Sequence, residues 1–139
     1  LAMNEAIGVV AVAAPDESPL LGFVSTVAPL LATGNAVVVV PSEPHPLSAT
    51  DLYTVFESSD VPGGAVNIVT GARDVLAKTL AEHDDVEGMW YWGSRRGSRL
   101  VEEEAAASMK RTWVNYGLHH DWTDDEQGQG EERMTMASW

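Results

Sequence analysis

This sequence predicts an α/β fold: an open parallel sheet of about five strands with helices on both faces. Three observations predict it. Two apolar runs, residues 7–13 and 37–40, are rich in β-branched side chains and do not alternate with polar ones, the pattern of strands covered on both faces. Strand-like and helix-like segments then alternate along residues 7–116, an order that requires a parallel sheet with right-handed crossovers. A length of 139 residues, 45% of them hydrophobic, suits one compact domain with its own core.

The first strand, residues 7–13, stops at the loop Ala14-Pro15-Asp16-Glu17-Ser18-Pro19. From Leu20 onward Leu20, Leu21, Val24, Val27, Ala28 and Leu31 recur at helical spacing, Gly34 supplies a stop, and Pro29 is expected to kink the helix. The stretch Gly34-Asn35-Ala36-Val37-Val38-Val39-Val40-Pro41-Ser42-Glu43 reads as a turn, a buried strand and a polar loop at the strand's carboxyl end. Open α/β sheets bind ligands beyond such carboxyl ends. Pro44-His45-Pro46 keeps the loop extended, and residues 48–58 read as a helix with Leu52, Val55 and Phe56 on one face.

In Val61-Pro62-Gly63-Gly64 the Pro and the first Gly fit the central positions of a type II turn, which feeds a third strand at residues 65–69. Residues 73–82 form a helix with Val75, Leu76, Thr79 and Leu80 inward, closed by His83-Asp84-Asp85. A fourth strand at residues 86–92, a helix at 95–108 and a fifth strand at 110–116 complete the series, with Trp113 and Tyr116 as bulky packers. The predicted organisation is an ordered domain over residues 1–118 and an acidic, poorly ordered tail over 119–139, where Asp124, Asp125, Glu126, Gly128, Gly130, Glu131 and Glu132 fall without periodicity.

A formal charge of −13 argues against nucleic acid and anionic membranes, both of which need clustered Lys and Arg. No Cys is present, which removes disulfides, thiolate metal sites and any cysteine nucleophile. The apolar runs at residues 7–14 and 20–31 are shorter than the roughly 20 residues a membrane span needs. No basic segment precedes the first run, so the start is not read as a signal peptide, and a cytoplasmic location is expected. The first residue is not Met, which suggests a piece of something longer.

Seven stretches then carry a resemblance. They are Ile7-Gly8-Val9-Val10, Pro19-Leu20-Leu21, Ala28-Pro29-Leu30-Leu31 leading to Gly34-Asn35, Pro41-Ser42-Glu43, Pro62-Gly63-Gly64 leading to Gly71, Gly93-Ser94, and the segment 110–117. Together, in this order, they resemble the coenzyme-binding domain of the aldehyde dehydrogenase superfamily over about residues 4–118. Pro46-Leu47-Ser48-Ala49-Thr50-Asp51-Leu52-Tyr53 and Trp113-Val114-Asn115-Tyr116-Gly117 are most similar to the second, degenerate module of two-module members. The resemblance implies a Rossmann-like fold, oxidoreductase ancestry and an aldehyde dehydrogenase chain or module as partner.

The same resemblance places no catalytic residue on this chain. Aldehyde oxidation needs a thiolate nucleophile, a general base, donors for the oxyanion and a dinucleotide to take the hydride. There is no Cys, the position matching the general base is Asn115, and Pro15-Asp16-Glu17 stands where active members carry a Pro-Trp-Asn motif. An amide cannot accept the proton, and a carboxylate repels an oxyanion. Activity by this chain alone is therefore not expected: it reads as a degenerate coenzyme-binding domain, a pseudoenzyme, with a non-catalytic structural or interaction module partnering an active dehydrogenase, or the truncated remnant of a disrupted gene, as the alternatives.

For NAD or NADP the resemblance implies Ser42 and Glu43 at the adenosine ribose and Gly93 and Ser94 at the pyrophosphate, where a helix amino terminus favours an anion. Val40 stands in place of the family's Lys, and Trp92 in place of a small Thr near the nicotinamide. Arg95, Arg96 and Arg99 crowd the same helix end. They either reinforce phosphate binding or balance Glu102, Glu103 and Glu104 one turn on. His119-His120-Asp121 offers no defined metal-ligand spacing, so no metal site is assigned. Trp90 and Trp92 share one side of a strand and read as packing residues.

Overall fold

A computed structural model describes residues 3–124 and 131–139. Ten elements follow in order: β1 (Val9–Ala13), α1 (Pro19–Ala32), β2 (Ala36–Val40), α2 (Leu47–Glu57), β3 (Val66–Ile68), α3 (Arg73–Glu82), β4 (Gly88–Tyr91), α4 (Arg95–Ala106), β5 (Arg111–Val114) and α5 (Glu131–Met136). The sheet has five strands in the order β3-β2-β1-β4-β5, and every neighbouring pair is parallel.

Because successive strand residues point to opposite faces, each strand feeds two cores. Val10 and Val12 of β1, Val37 and Val39 of β2 and Trp90 of β4 meet Phe23, Val27 and Leu30 of α1 and Ala49 of α2 on one side. Ala11 and Ala13 of β1 with Met89 and Tyr91 of β4 meet Ala77 and Ala81 of α3 and Val101 of α4 on the other. The missing polar alternation in the strands follows from this double covering.

Helix phase is where the structure departs from the sequence reading. Val55 and Val75, expected to face inward, are 53% and 67% exposed, and Thr79 is exposed as well. α2 buries Ala49, with Leu52 and Phe56 partly covered, and α3 buries Arg73, Ala77 and Ala81. Small alanines let the helices lie close to the sheet, so the buried stripe follows the alanines and not the largest apolar residues. The turn before β3 is also shifted by one. The Ala65 N–H donates to the Pro62 carbonyl at 3.1 Å, and Gly64, with φ +84°, holds the left-handed position that a type II turn reserves for glycine.

Some residues of the expected tail pack against the domain. Trp122 and Ala137 are buried, Ser138 bridges to Ala6, and the Trp139 N–H donates to the Glu5 carbonyl at 2.9 Å. Asp125, Glu126, Gly128 and Gly130 lie outside the described residues. Among the described residues no helix is long and apolar enough to cross a membrane.

Candidate functional site

The strand order places a topological switch point between β1 and β4, since the chain runs outward from β1 through β2 to β3 and then returns to β1's other side with β4. A crevice outside the carboxyl ends of those two strands is the expected ligand position in an open parallel sheet. One is present. A cavity of about 300 Å³ lies there, with Asp16 and Glu17 from the loop after β1, Trp92 to Ser94 after β4, Asn115 and Gly117 after β5, and Arg73 at the head of α3. Leu118, His120 and Trp122 close its outer side.

The predicted site residues divide. Gly93 and Ser94 line the cavity, whereas Ser42 and Glu43 sit behind its edge, in contact with residues that do line it. Ser42 is buried, and its hydroxyl donates to Asp16 Oδ1 at 3.1 Å, an oxygen that also accepts the Glu43 N–H at 3.2 Å and the Arg73 guanidinium. Glu43 Oε2 accepts the Arg73 backbone N–H at 3.0 Å, satisfying one of the donors that the start of α3 leaves free. Sequence reading missed Arg73. Nothing in a helix-starting Arg announces burial, yet it is only 8% exposed, and its Nε has no partner among the described residues.

At the head of α4 the Ser94 hydroxyl caps the helix by accepting the Gly97 N–H at 2.9 Å. The Tyr91 hydroxyl lies under the same turn, donating to Asp74 Oδ1 at 2.6 Å and accepting the Ser94 N–H at 3.3 Å. Two glycines make room for the phenol: a Cβ on Gly93 would come within 2.6 Å of the hydroxyl oxygen, and one on Gly97 within 1.9 Å. Burial, then the bond to the Asp74 carboxylate, push the Tyr91 pKa up. The phenol is therefore a neutral donor at pH 7.

Asn115 is held at both ends. Its Oδ1 accepts the Gly93 N–H at 3.1 Å and its Nδ2 donates to the Leu118 carbonyl at 3.3 Å. Tyr116 and Gly117 both take positive φ in the turn that follows, closed by the Leu118 N–H to the Asn115 carbonyl at 3.0 Å. That turn brings Gly117 against the head of α4, where a Cβ would meet the Arg95 nitrogen at 3.2 Å.

Trp92 lines the cavity and is buried among other rings. It is 6% exposed, 5.2 Å from Trp113 and 4.9 Å from Trp122 between ring centroids, and 5.5 Å from His120. Trp90 also meets Trp113, at 4.8 Å, so the two strand tryptophans pack on one ring. Desolvation and the Arg133 guanidinium lower the His120 pKa, while His119 lies exposed, 3.0 Å from Glu17. No group of three or more ligating side chains gathers among the described residues.

Arg95, Arg96 and Arg99 stand exposed on α4. Two of their expected balancing acids have other partners: Glu102 accepts the Tyr116 hydroxyl, and Glu104 lies 3.8 Å from Lys78.

Comparisons with known proteins converge. A model described as the aldehyde dehydrogenase family matches residues 1–122. The NADP/NAD-dependent aldehyde dehydrogenase PuuC of Escherichia coli K12 is 35% identical over 116 residues, covering 83% of this chain and 23% of that protein. Aldehyde dehydrogenase 1A1 of Equus caballus is 36% identical, with 82% and 23% covered. Among solved structures, an alanine mutant of aldehyde dehydrogenase C from Pseudomonas syringae, determined with NAD+ and octanal, matches with TM-score 0.77 and 35% identity over 80% of this chain and 23% of that one. An apo indole-3-acetaldehyde dehydrogenase matches with TM-score 0.78 and 34% identity, covering 83% and 27%. The chain thus spans about a quarter of the length of the relatives it matches.

Proposed function

This chain belongs to the aldehyde dehydrogenase family, an oxidoreductase family, and we propose that its 139 residues act as a non-catalytic module of the coenzyme-binding-domain type. The observation that carries this reading is the state of the crevice. Its position is that of a nucleotide site, but the groups that would hold one are bonded to each other. As arranged they fit NAD or NADP poorly: the Glu43 carboxylate accepts the Arg73 N–H at the head of α3, Asp16 and Arg73 are paired beside Ser42, and the Ser94 N–H is taken by the Tyr91 hydroxyl. A cavity of about 300 Å³ also stands at the bottom of the range for small-ligand sites.

The chemistry supports the same conclusion. No thiolate is available in these residues, and Asn115, its side chain fixed by hydrogen bonds to Gly93, Gly117 and Leu118, offers no basic atom. A partner supplying the missing machinery, an aldehyde dehydrogenase chain or module, is consistent with the exposed apolar Leu20, Leu21 and Val24 on α1. A cytoplasmic location completes the proposal.

A second reading, retained nucleotide binding without chemistry, is favoured by the cavity that remains open beside Ser94. Two assays on the purified chain separate them. The non-catalytic reading expects no aldehyde-dependent reduction of NAD or NADP, and no change in melting temperature with millimolar NAD. A nucleotide at about 100 times its dissociation constant would stabilise the fold by roughly 2.7 kcal/mol, several degrees for a domain of this size. Such a shift would establish the second reading, and turnover would overturn both.

A further inference from the structure

We propose that the crevice is closed to nucleotides by its own polar groups, with the Arg73–Asp16 pair as a bar across the ribose end and the Tyr91 hydroxyl as the corresponding stop under the head of α4. The inference rests on the non-catalytic reading and assigns its cause to particular side chains.

Arg73 begins α3, and its guanidinium reaches the loop after β1, where Asp16 Oδ1 also holds the Ser42 hydroxyl and the Glu43 N–H at 3.1 and 3.2 Å. Three donors from two segments, the loop after β2 and the head of α3, therefore converge on one carboxylate oxygen. A ribose hydroxyl seeking Glu43 meets a carboxylate that already accepts the Arg73 N–H, and a phosphate that takes the guanidinium nitrogen bonded to Asp16 separates a largely buried guanidinium from its carboxylate, which leaves an uncompensated charge. At the other end Tyr91 takes the Ser94 N–H at 3.3 Å and brings the Asp74 carboxylate to 2.6 Å from its own oxygen. A second anion beside that carboxylate is disfavoured. Glycine at 93 and 97 is what allows the phenol to lie there, since a methyl group at either position would overlap its hydroxyl.

The unpartnered Nε of Arg73 also suits the opposite role, that of a phosphate ligand. Thermal melts of the parent chain, Arg73→Ala, Tyr91→Phe, the double variant and Trp92→Thr, with millimolar NAD and separately with inorganic pyrophosphate, distinguish the two. The bar predicts an unmoved parent, a rise of several degrees with NAD in the double variant and a smaller rise in Arg73→Ala. Tyr91→Phe loses a single oxygen; should Arg73→Ala fail to fold, it must gain a shift with pyrophosphate by itself. Silence in every variant that is folded by circular dichroism overturns the bar and leaves the non-catalytic reading standing. A shift in the parent that Arg73→Ala abolishes makes Arg73 a ligand and overturns both. A gain in Trp92→Thr alone assigns the closure to the indole and overturns the bar.

Discussion

At the residue scale the most connected polar side chain is Asn35. In sequence it is half of a Gly-Asn turn signature; in the fold it is a buried clamp. Its Oδ1 accepts the N–H groups of Ile7 and Gly8 at 2.7 and 3.0 Å, and its Nδ2 donates to the carbonyls of Leu30 and Ala137 at 3.0 and 2.7 Å. One amide thus joins β1's entry, α1's exit and the carboxyl-terminal segment. Asn35→Ala leaves one buried backbone donor, at Ile7, and one partly buried, at Gly8, without that acceptor, at roughly 1–3 kcal/mol for each unsatisfied buried group. A loss of about 2–4 kcal/mol in urea unfolding is expected, and a loss under about 0.5 kcal/mol, the scale of an ordinary surface change, would contradict the clamp. Tyr91 gives a second residue-scale expectation. Its folded pKa lies above the unfolded value near 10, from burial first and the Asp74 bond second. The folded state therefore holds the phenolic proton more tightly, so this stabilisation is present below pH 10 and is lost as pH rises through the folded pKa. Melting temperatures taken between pH 8 and 11 should fall at the alkaline end, and Tyr91→Phe should flatten part of the fall. Tyr116, raised chiefly by its bond to Glu102, accounts for a remainder that Tyr116→Phe removes.

At the scale of elements, boundaries were more legible than faces. α3 has the span the sequence reading gave it, and β2 contains the whole valine run. The buried stripes of α2 and α3 were not legible, because helical periodicity is compatible with several phases, and the phase chosen depends on how closely Ala49, Ala77 and Ala81 let each helix approach the sheet. α5 was missed altogether. Six residues give too short a pattern to register, and its place depends on contacts with distant parts of the chain. Ala137, just beyond it, is fully buried and its carbonyl accepts from Thr33 Oγ1 and Asn35 Nδ2, while Arg111 donates to the Ser138 and Thr135 carbonyls. Ending the chain after residue 124 should expose part of that α1 surface and leave these donors to water. The expected outcome is a clearly lowered melting temperature and faster amide exchange at the end of α1; an unchanged melt would mean that α5 adds no stability.

At the scale of the molecule, a parallel sheet with one switch point gathers the loops after β1, β4 and β5 at one end, together with the head of α3. Of the residues singled out in the sequence, Gly93 and Ser94 line the crevice, while the polar loop behind the four valines stands behind its edge. Its occupancy by the chain's own groups was not. Arg73 and Asp16 are 57 residues apart, and Ser42 and Asp16 are 26 apart, so no local pattern pairs them.

By itself the sequence determined the family, the parallel α/β architecture and the approximate extent of nine of the ten elements, because burial periodicity and glycine or proline punctuation are written locally along the chain. Only the tertiary structure decided which face each helix buries, that the carboxyl-terminal residues dock on α1, and that Asp16, Glu43, Arg73 and Tyr91 spend their hydrogen bonds on the protein. A polar group bonds whatever stands opposite it once the backbone has closed, and what stands opposite is fixed by packing between segments far apart in sequence.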